Sequence, residues 1–331
     1  MNIVLIKPTG EQFNITRAVS RVTWRGSASS AARELAFSYI NAPFDSFGLP
    51  NISTGDIVAF SEAGDEVFYG QLFGSERSSA VGTITYNAYD YMKHLLESKG
   101  QYNFKNMTPE AIAMMVCSDA GIPLRVANGV PSIYVTGVNI ASMICDNMTL
   151  YDIIMAAYTK AHRITGDKYF PMIYKRGLGI YKSNWIVSGF ELADDENLMS
   201  SSIKESMDAI VNKVRVYDTA GNQIGEVTDN DSLELFGTFQ QIYKQEDGVD
   251  PVVAATNLLH VLPSQKINVS CVGDINCISH YFVYVRDRST GLVGRYWISS
   301  DEHTWENGAH TMELELTFDS IMSERDASGE E

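Results

Sequence analysis

Apolar and polar residues alternate in short runs over the first hundred residues, the pattern of strands with one buried face. Ile3 and Leu5 interleave with Val4 and Ile6 in an opening strand. Residues 19–24 and 35–39 predict two more, the second alternating through Leu35, Phe37 and Tyr39. The small, polar stretch 27–32 between them reads as a loop or short helical turn. Residues 56–61 predict a strand that turns at Ala63-Gly64-Asp65 into 67–73, and 83–89 closes the set. Six or so strands spaced about 8–12 residues apart describe a small barrel or sandwich. Residues 90–99 then read as a helix capped by Asp90 and ended by Gly100.

From about residue 101 to 190 the period changes. Thr108-Pro109-Glu110 ahead of AIAMMVCSDAG supplies an N-cap hydroxyl, a first-turn proline and an early carboxylate, with Gly121 and Pro123 as the stop. A second helix runs from Thr149 to about Arg163, with Ile153, Ile154, Ala157 and Tyr158 at helical spacing and Gly166 beyond its end. Residues 168–175 and 179–182 read as a hairpin around Gly177. This middle part is a small α+β domain.

From residue 191 the β pattern returns. Residues 210–217 and 223–227 flank a turn at 218–222, and 251–262 reads as a short helix with Ala254, Ala255, Leu258 and Leu259 on its apolar side. Strands follow at 266–272, 281–286, 294–300 and 311–318, and the closing SERDASGEE is polar, charged and frayed.

Two of these β-units resemble each other. VFYGQLFGSERSSAVGTITYNAYD, residues 67–90, aligns without a gap on RYWISSDEHTWENGAHTMELELTF, residues 295–318. Ile84, Tyr86 and Ala88 then match Met312, Leu314 and Leu316. A chain that builds one β-unit twice can present two equivalent surfaces, so three copies can imitate a six-fold ring.

Composition narrows the class. At 331 residues, 45% of them hydrophobic, the chain is globular and long enough for two or three domains. A net charge of −16 argues against wrapping the outside of nucleic acid. It favours plain solubility, or a negatively lined passage for a polyanion. There is no apolar run of about eighteen residues and no signal-peptide pattern at the start. Cys117, Cys145, Cys271 and Cys277 follow no metal or redox spacing, which points to a cytoplasmic protein with reduced thiols and Cys117 as a buried helix residue.

Candidate chemistry is sparse. The histidines at 94, 162, 260, 280, 303 and 310 form no HxxxH pair. Asp301 and His303, in DEHTW, are the best candidates for an active pair, against the plainer reading that they decorate a hairpin turn. Asp194-Asp195-Glu196 suggests a carboxylate or calcium site but lacks EF-hand spacing and reads better as a solvated turn. KYFPMIYKRG is the nearest approach to a basic, aromatic patch and reads as an amphipathic hairpin. No catalytic, metal or cofactor-binding residues are assigned, and no cofactor is expected. A β-rich assembly or binding protein is favoured over an enzyme.

Several blocks carry a family resemblance. They are VTWRGSASSAARELAFSYINAP with Trp24, Ala32, Arg33, Leu35 and Phe37; GDIVAF; the Tyr69-Gly70 strand; and YNAYDYMKHLLESKGQYNFKN. SIKESMDAIVNKVRVYDTAGNQIG and residues 273–316, with Tyr296, Ile298, His303, Gly308 and Thr311, continue it. Together they resemble the XkdQ-like hub proteins of PBSX-type prophages, relatives of the late-control D and contractile-tail hub families.

The resemblance implies an α+β, mainly β fold: two antiparallel β-barrel domains with a small α+β domain between them. The barrels would span 1–99 and 191–325, the α+β domain 100–190, and a flexible tail 326–331; strands near 205–245 are open to completing the first barrel instead. It further implies a non-enzymatic hub of a contractile phage tail or phage-tail-like bacteriocin. Such hubs are homotrimers whose paired barrels form a pseudo-six-fold ring. The implied partners are the central spike, the tail tube, baseplate wedge proteins and the tape measure, with DNA as passing cargo in an acidic lumen. Assembly would take place in the bacterial host cytoplasm before incorporation into the virion or particle baseplate. Spike and lytic functions would sit on separate chains. The trimer and spike interface residues are not assigned, although Trp24, Trp185, Trp297 and Trp305 are candidate anchors. The alternatives are a tail-associated cell-wall hydrolase acting through Asp301 and His303, or a glycan-binding baseplate module with an exposed aromatic platform.

Overall fold

The structure, a computed structural model, describes residues 1–40, 48–77, 82–245 and 250–328. It divides into a larger unit, residues 1–201 with 268 onward, and a smaller one, residues 202–267. The chain begins with β1 (Asn2–Ile6), β2 (Gln12–Asn14), β3 (Val19–Ser27), β4 (Ser30–Ile40), β5 (Ile57–Glu62), β6 (Asp65–Arg77) and β7 (Thr83–Tyr89). The middle supplies α1 (Met92–Glu97), β8 (Lys99–Met107), α2 (Pro109–Asp119), β9 (Val126–Ala127), β10 (Val130–Pro131), β11 (Ile140–Thr149) and α3 (Leu150–Thr165). Then come β12 (Tyr169–Tyr174), β13 (Gly177–Lys182), β14 (Ile186–Ala193) and β15 (Leu198–Ser206). The smaller unit adds β16 (Lys213–Tyr217), β17 (Gln223–Thr228), α4 (Asn230–Phe236), β18 (Gln240–Lys244) and α5 (Pro251–Asn257). The chain closes with β19 (Ser264–Val272), β20 (Phe282–Asp287), β21 (Leu292–Glu306) and β22 (Ala309–Thr317).

The fold is mainly β. One thirteen-stranded sheet runs β15-β19-β22-β21-β3-β4-β7-β6-β5-β1-β2, with β20 joining β21 to β14. Alternation makes it work: Ile3 and Leu5, then Ile84, Tyr86 and Ala88, and finally Met312, Leu314 and Leu316 all face the interior. The two barrels expected from the sequence are not separate closed barrels in this pairing. β21 bonds β3 from Ser300↔Ser27 to Glu306↔Arg21, so the first and last strand sets share a sheet. Among the described residues the strand order does not return on itself.

The repeated blocks are β6–β7 and β21–β22, and each hairpin carries a bulge at the same place. In the first, Leu72 pairs Ala88 and Gly74 pairs Asn87, leaving Phe73 over. In the second, Ile298 pairs Leu316 and Ser300 pairs Glu315, leaving Ser299 over. The second strands correspond as the gapless alignment has them. The first strands are displaced by two residues, a shift that keeps every side chain on its face.

Residues 100–190 fall inside the larger unit. Helices α2 and α3 begin at Thr108 and Thr149, whose hydroxyls accept from Ala111 N and Asp152 N. α3 is buried on more than the one face its spacing suggests: Tyr151, Met155, Ala156 and Thr159 are interior together with Ile153, Ile154, Ala157 and Tyr158. The far side is covered by the closing segment. Met322 packs on the helix core, Arg325 donates to Thr159 Oγ1 (3.0 Å) and Asp152 (2.6 Å), and Asp326 pairs Arg163 (2.6 Å). So residues read as the start of a flexible tail lie against α3 as far as Asp326 and against β11 at Ser328, which bonds Asp146; 329–331 lie outside the described residues.

Three local elements differ from what the sequence predicts. The stretch 27–32 is neither loop nor helical turn but a two-residue hairpin turn, Ala28-Ser29, between β3 and β4. Gly100 does not end α1: it lies in β8, where an added Cβ would meet the Tyr102 ring at 2.6 Å. The β12–β13 turn is Lys175-Arg176, both at positive φ, and Gly177 belongs to β13.

In the smaller unit β17-β16-β18 form their own sheet. Asp229 and Asp250 cap α4 and α5, and Val211, Val214, Val216 and Ala255 form a buried cluster with Val227, Tyr243, Leu258 and Leu259 packed on it.

Candidate functional site

The bulge in β21 decides what the interior of the larger unit contains. Before it Tyr296 and Ile298 point inward; after it the phase shifts and Asp301, His303 and Trp305 do. Polar side chains thereby enter the core, and each must find partners there.

Asp301 takes Arg33 of β4 in a two-point ion pair, Nη1 to Oδ1 at 3.1 Å and Nη2 to Oδ2, and accepts the Ser279 amide at 2.7 Å. The Arg33 guanidinium also lies 3.9 Å above the Trp24 ring. His303 Nε2 faces the Cys277 carbonyl at 3.1 Å, which can only accept, so Nε2 carries the proton. Nδ1 then accepts from His310 Nε2 at 3.1 Å. Burial pushes His303 down to about 4, and does the same to the neighbouring His280, stacked on Phe170 at 4.2 Å. Asp90, whose carboxylate accepts the amides of Arg33 and Met92, is pushed up to about 7 by burial.

The sequence pair Asp301–His303 is therefore brought together, at 3.6 Å, but with both side chains fully buried and committed to other partners. It does not decorate a turn, and neither side chain reaches solvent. A general base must reach a substrate proton, and this one fastens strands instead. Arg33, its main partner, carried no signal of that role in the sequence.

The acidic turn resolves as a salt-bridge cluster. Asp194 pairs Arg288 at 2.9 Å and Asp195 pairs Arg286 at 3.0 Å, so the carboxylates are already neutralised. No group of metal-ligating side chains occurs among the described residues. The four cysteines are buried and unpaired. Trp24 and Trp305 are core residues, Trp297 packs edge-on against Phe282, and Trp185 is 37% exposed.

Trp185 belongs to a cleft of about 440 Å³ in the larger unit, bordered by the β12–β13 hairpin. Tyr174, Tyr181 and Tyr281 line it with Arg125 and Lys175. Met172, Ile173, Tyr174, Lys175 and Tyr181 of that lining come from the KYFPMIYKRG stretch and its return strand, which the sequence offered as a plain amphipathic hairpin.

Residues 22–317 match the family described as YqbQ-like. The chain is 26% identical over 283 residues to the phage-like element PBSX protein XkdQ of Bacillus subtilis, covering 83% of this chain and 85% of that one. It is 25% identical over 276 residues to the YqbQ protein of the same organism, covering 80% and 82%. Among solved structures, its fold is similar to the prophage MuSo2 43 kDa tail protein from Shewanella oneidensis, with a TM-score of 0.69 at 16% identity over 96% and 98% of the two chains.

Proposed function

The chain belongs to the YqbQ-like family, and from that membership we propose that it is a non-enzymatic structural component of a phage tail, the hub of its baseplate. The observation that carries the reading is the extent of the likeness: the fold of a prophage tail protein over 96% of the chain, and a PBSX relative over 83%. The fate of Asp301 and His303 supports it, because this buried titratable pair is spent on holding β3, β4 and β21 together.

In this reading three copies assemble so that the strand sets at the two ends of each chain act as paired barrel-like modules in a pseudo-six-fold ring. One side of the ring meets the tail tube and the other the central spike, with wedge proteins and the tape measure around them. The net charge of −16 keeps DNA from sticking to the passage. The particle is a contractile tail, of a phage or of a bacteriocin. The protein is made in the host cytoplasm and ends in the baseplate.

The test is the mass of the full chain by light scattering, alone and mixed with the spike protein of the same locus. A trimer, or a 3:3 complex on mixing, is expected. A monomer indifferent to the spike would overturn the hub assignment.

A further inference from the structure

We propose that the cleft beside the β12–β13 hairpin binds an anionic sugar, a pyranose ring carrying a carboxylate. The site does not depend on the assembly reading. Its volume of about 440 Å³ is in the range of small-molecule pockets. Its walls are aromatic. Tyr181 meets Trp185 edge-to-face at 4.8 Å and Trp185 meets Tyr281 at 5.3 Å, while Trp185 and Tyr174 keep 37% and 43% of their surface in solvent. Exposed rings suit the apolar C–H face of a pyranose, whose hydroxyls need polar groups at the rim.

The rim selects charge. Arg125 and Lys175 lie 5.2 and 5.6 Å from the centre of the Tyr174 ring. Among the described residues neither has a carboxylate partner, in a chain with 41 acidic residues against 25 basic ones. The other lining charges are mostly spent, Arg33 on Asp301 and Glu66 on Arg176. Asp65 is the remaining lining carboxylate, suited to accept from sugar hydroxyls, and it leaves the mouth with a net positive charge. Two cations without a carboxylate partner among the described residues, Arg125 with one donor on the Val126 carbonyl, thus flank one tyrosine and suit an anion that also presents a ring-sized apolar face.

A peptide strand fits less well. β13 already bonds outward to Pro123, Arg125, Ser132 and Tyr134, so an incoming backbone finds no free ladder there.

The probes are N-acetylmuramic acid and N-acetylglucosamine, which share the ring and acetamide and differ in the O3 lactyl ether that carries the carboxylate. Saturation-transfer NMR and calorimetry on the full chain should show binding of the acid, with the neutral sugar weaker by about fivefold, the scale of one exposed ion pair. Trp185→Ala should abolish both responses. Arg125→Ala with Lys175→Ala should remove the preference and keep the weak common binding, with unchanged thermal melts showing that each variant folds. Equal affinity for the two sugars, or no response to either at about 10 mM, would overturn the proposal. So would an acidic, tyrosine-containing peptide that binds through Trp185 where the sugars do not, which would make the cleft a protein-docking site.

Discussion

Arg33 on β4 and Asp301 on β21, 268 residues apart in sequence, form an ion pair with 8% and 0% of their side chains exposed. Removing either partner strands a buried charge, which costs about 3–5 kcal/mol, whereas replacing both by apolar groups of similar size restores much of the loss. Asp301→Ala and Arg33→Met should each destabilise the chain strongly, and Arg33→Met with Asp301→Leu should be far less than additive. Urea unfolding of the four proteins in a double-mutant cycle measures this. Additive losses would mean that the two side chains act independently.

Acid should destabilise the fold through its buried histidines. His280 and His303 titrate near 4 when folded and near 6.5 when unfolded, so between those values the unfolded chain holds protons that the folded chain does not. Stability therefore falls as pH drops through that window, by up to about 3 kcal/mol per histidine. Asp90 acts oppositely. Its pKa is raised from 3.8 to about 7, so the folded chain binds the extra proton and its contribution is lost as pH rises through that range. Two histidines outweigh one aspartate, and melting should be lower at pH 5 than at pH 7. Asp90→Asn, which keeps an acceptor for the Met92 amide, should steepen the fall. A shallower pH dependence in that variant would reverse the assignment of sign.

Strand alternation announced the inward residues of β7 and β22, and the N-cap threonines of α2 and α3 announced their helices; the all-apolar run of residues 3–6 announced β1 but not which of its faces is buried. What stayed hidden has a physical reason in each case. In β21 the bulge at Ser299 changes phase, so WISSDEHTW has no single period from which the inward Asp301 and His303 could be read. Lys175 and Arg176 turn a hairpin at positive φ without the glycine or asparagine that usually signals it, and the glycine that draws the eye, Gly177, lies one residue on in the strand. Gly177 is small for another reason: a Cβ there would stand 2.6 Å from the Arg125 backbone nitrogen. The partners of Asp301 were beyond reach because long-range pairing leaves no local trace.

The segment after β22 should behave as part of the α3 core. Lys168 Nζ donates to the Ser320 carbonyl at 2.6 Å, Met322 packs on the cluster, and Arg325 binds Thr159, which is fully buried. Deleting residues 320–331 should cost about 2–3 kcal/mol, one partly buried methionine plus its hydrogen bonds. Amide exchange in α3 should accelerate accordingly. Unchanged protection of α3 in the truncated chain would show that the segment contributes nothing to it.

The smaller unit should open before the larger one. Its buried apolar cluster is Val211, Val214, Val216 and Ala255, while Leu235, Ile242 and Leu262 remain 71%, 59% and 68% exposed. So small a core leaves little surplus over chain entropy. Native-state amide exchange should therefore give β16 a lower opening free energy than α3, where ten residues are buried. Val214→Ala removes two methyl groups from that core and should cost about 2–3 kcal/mol locally. Exchange should then speed up across β16, β17 and β18 with α3 unaffected. If α3 accelerated by the same factor, residues 202–267 and the larger unit would be one cooperative block, and opening of the smaller unit alone would be ruled out.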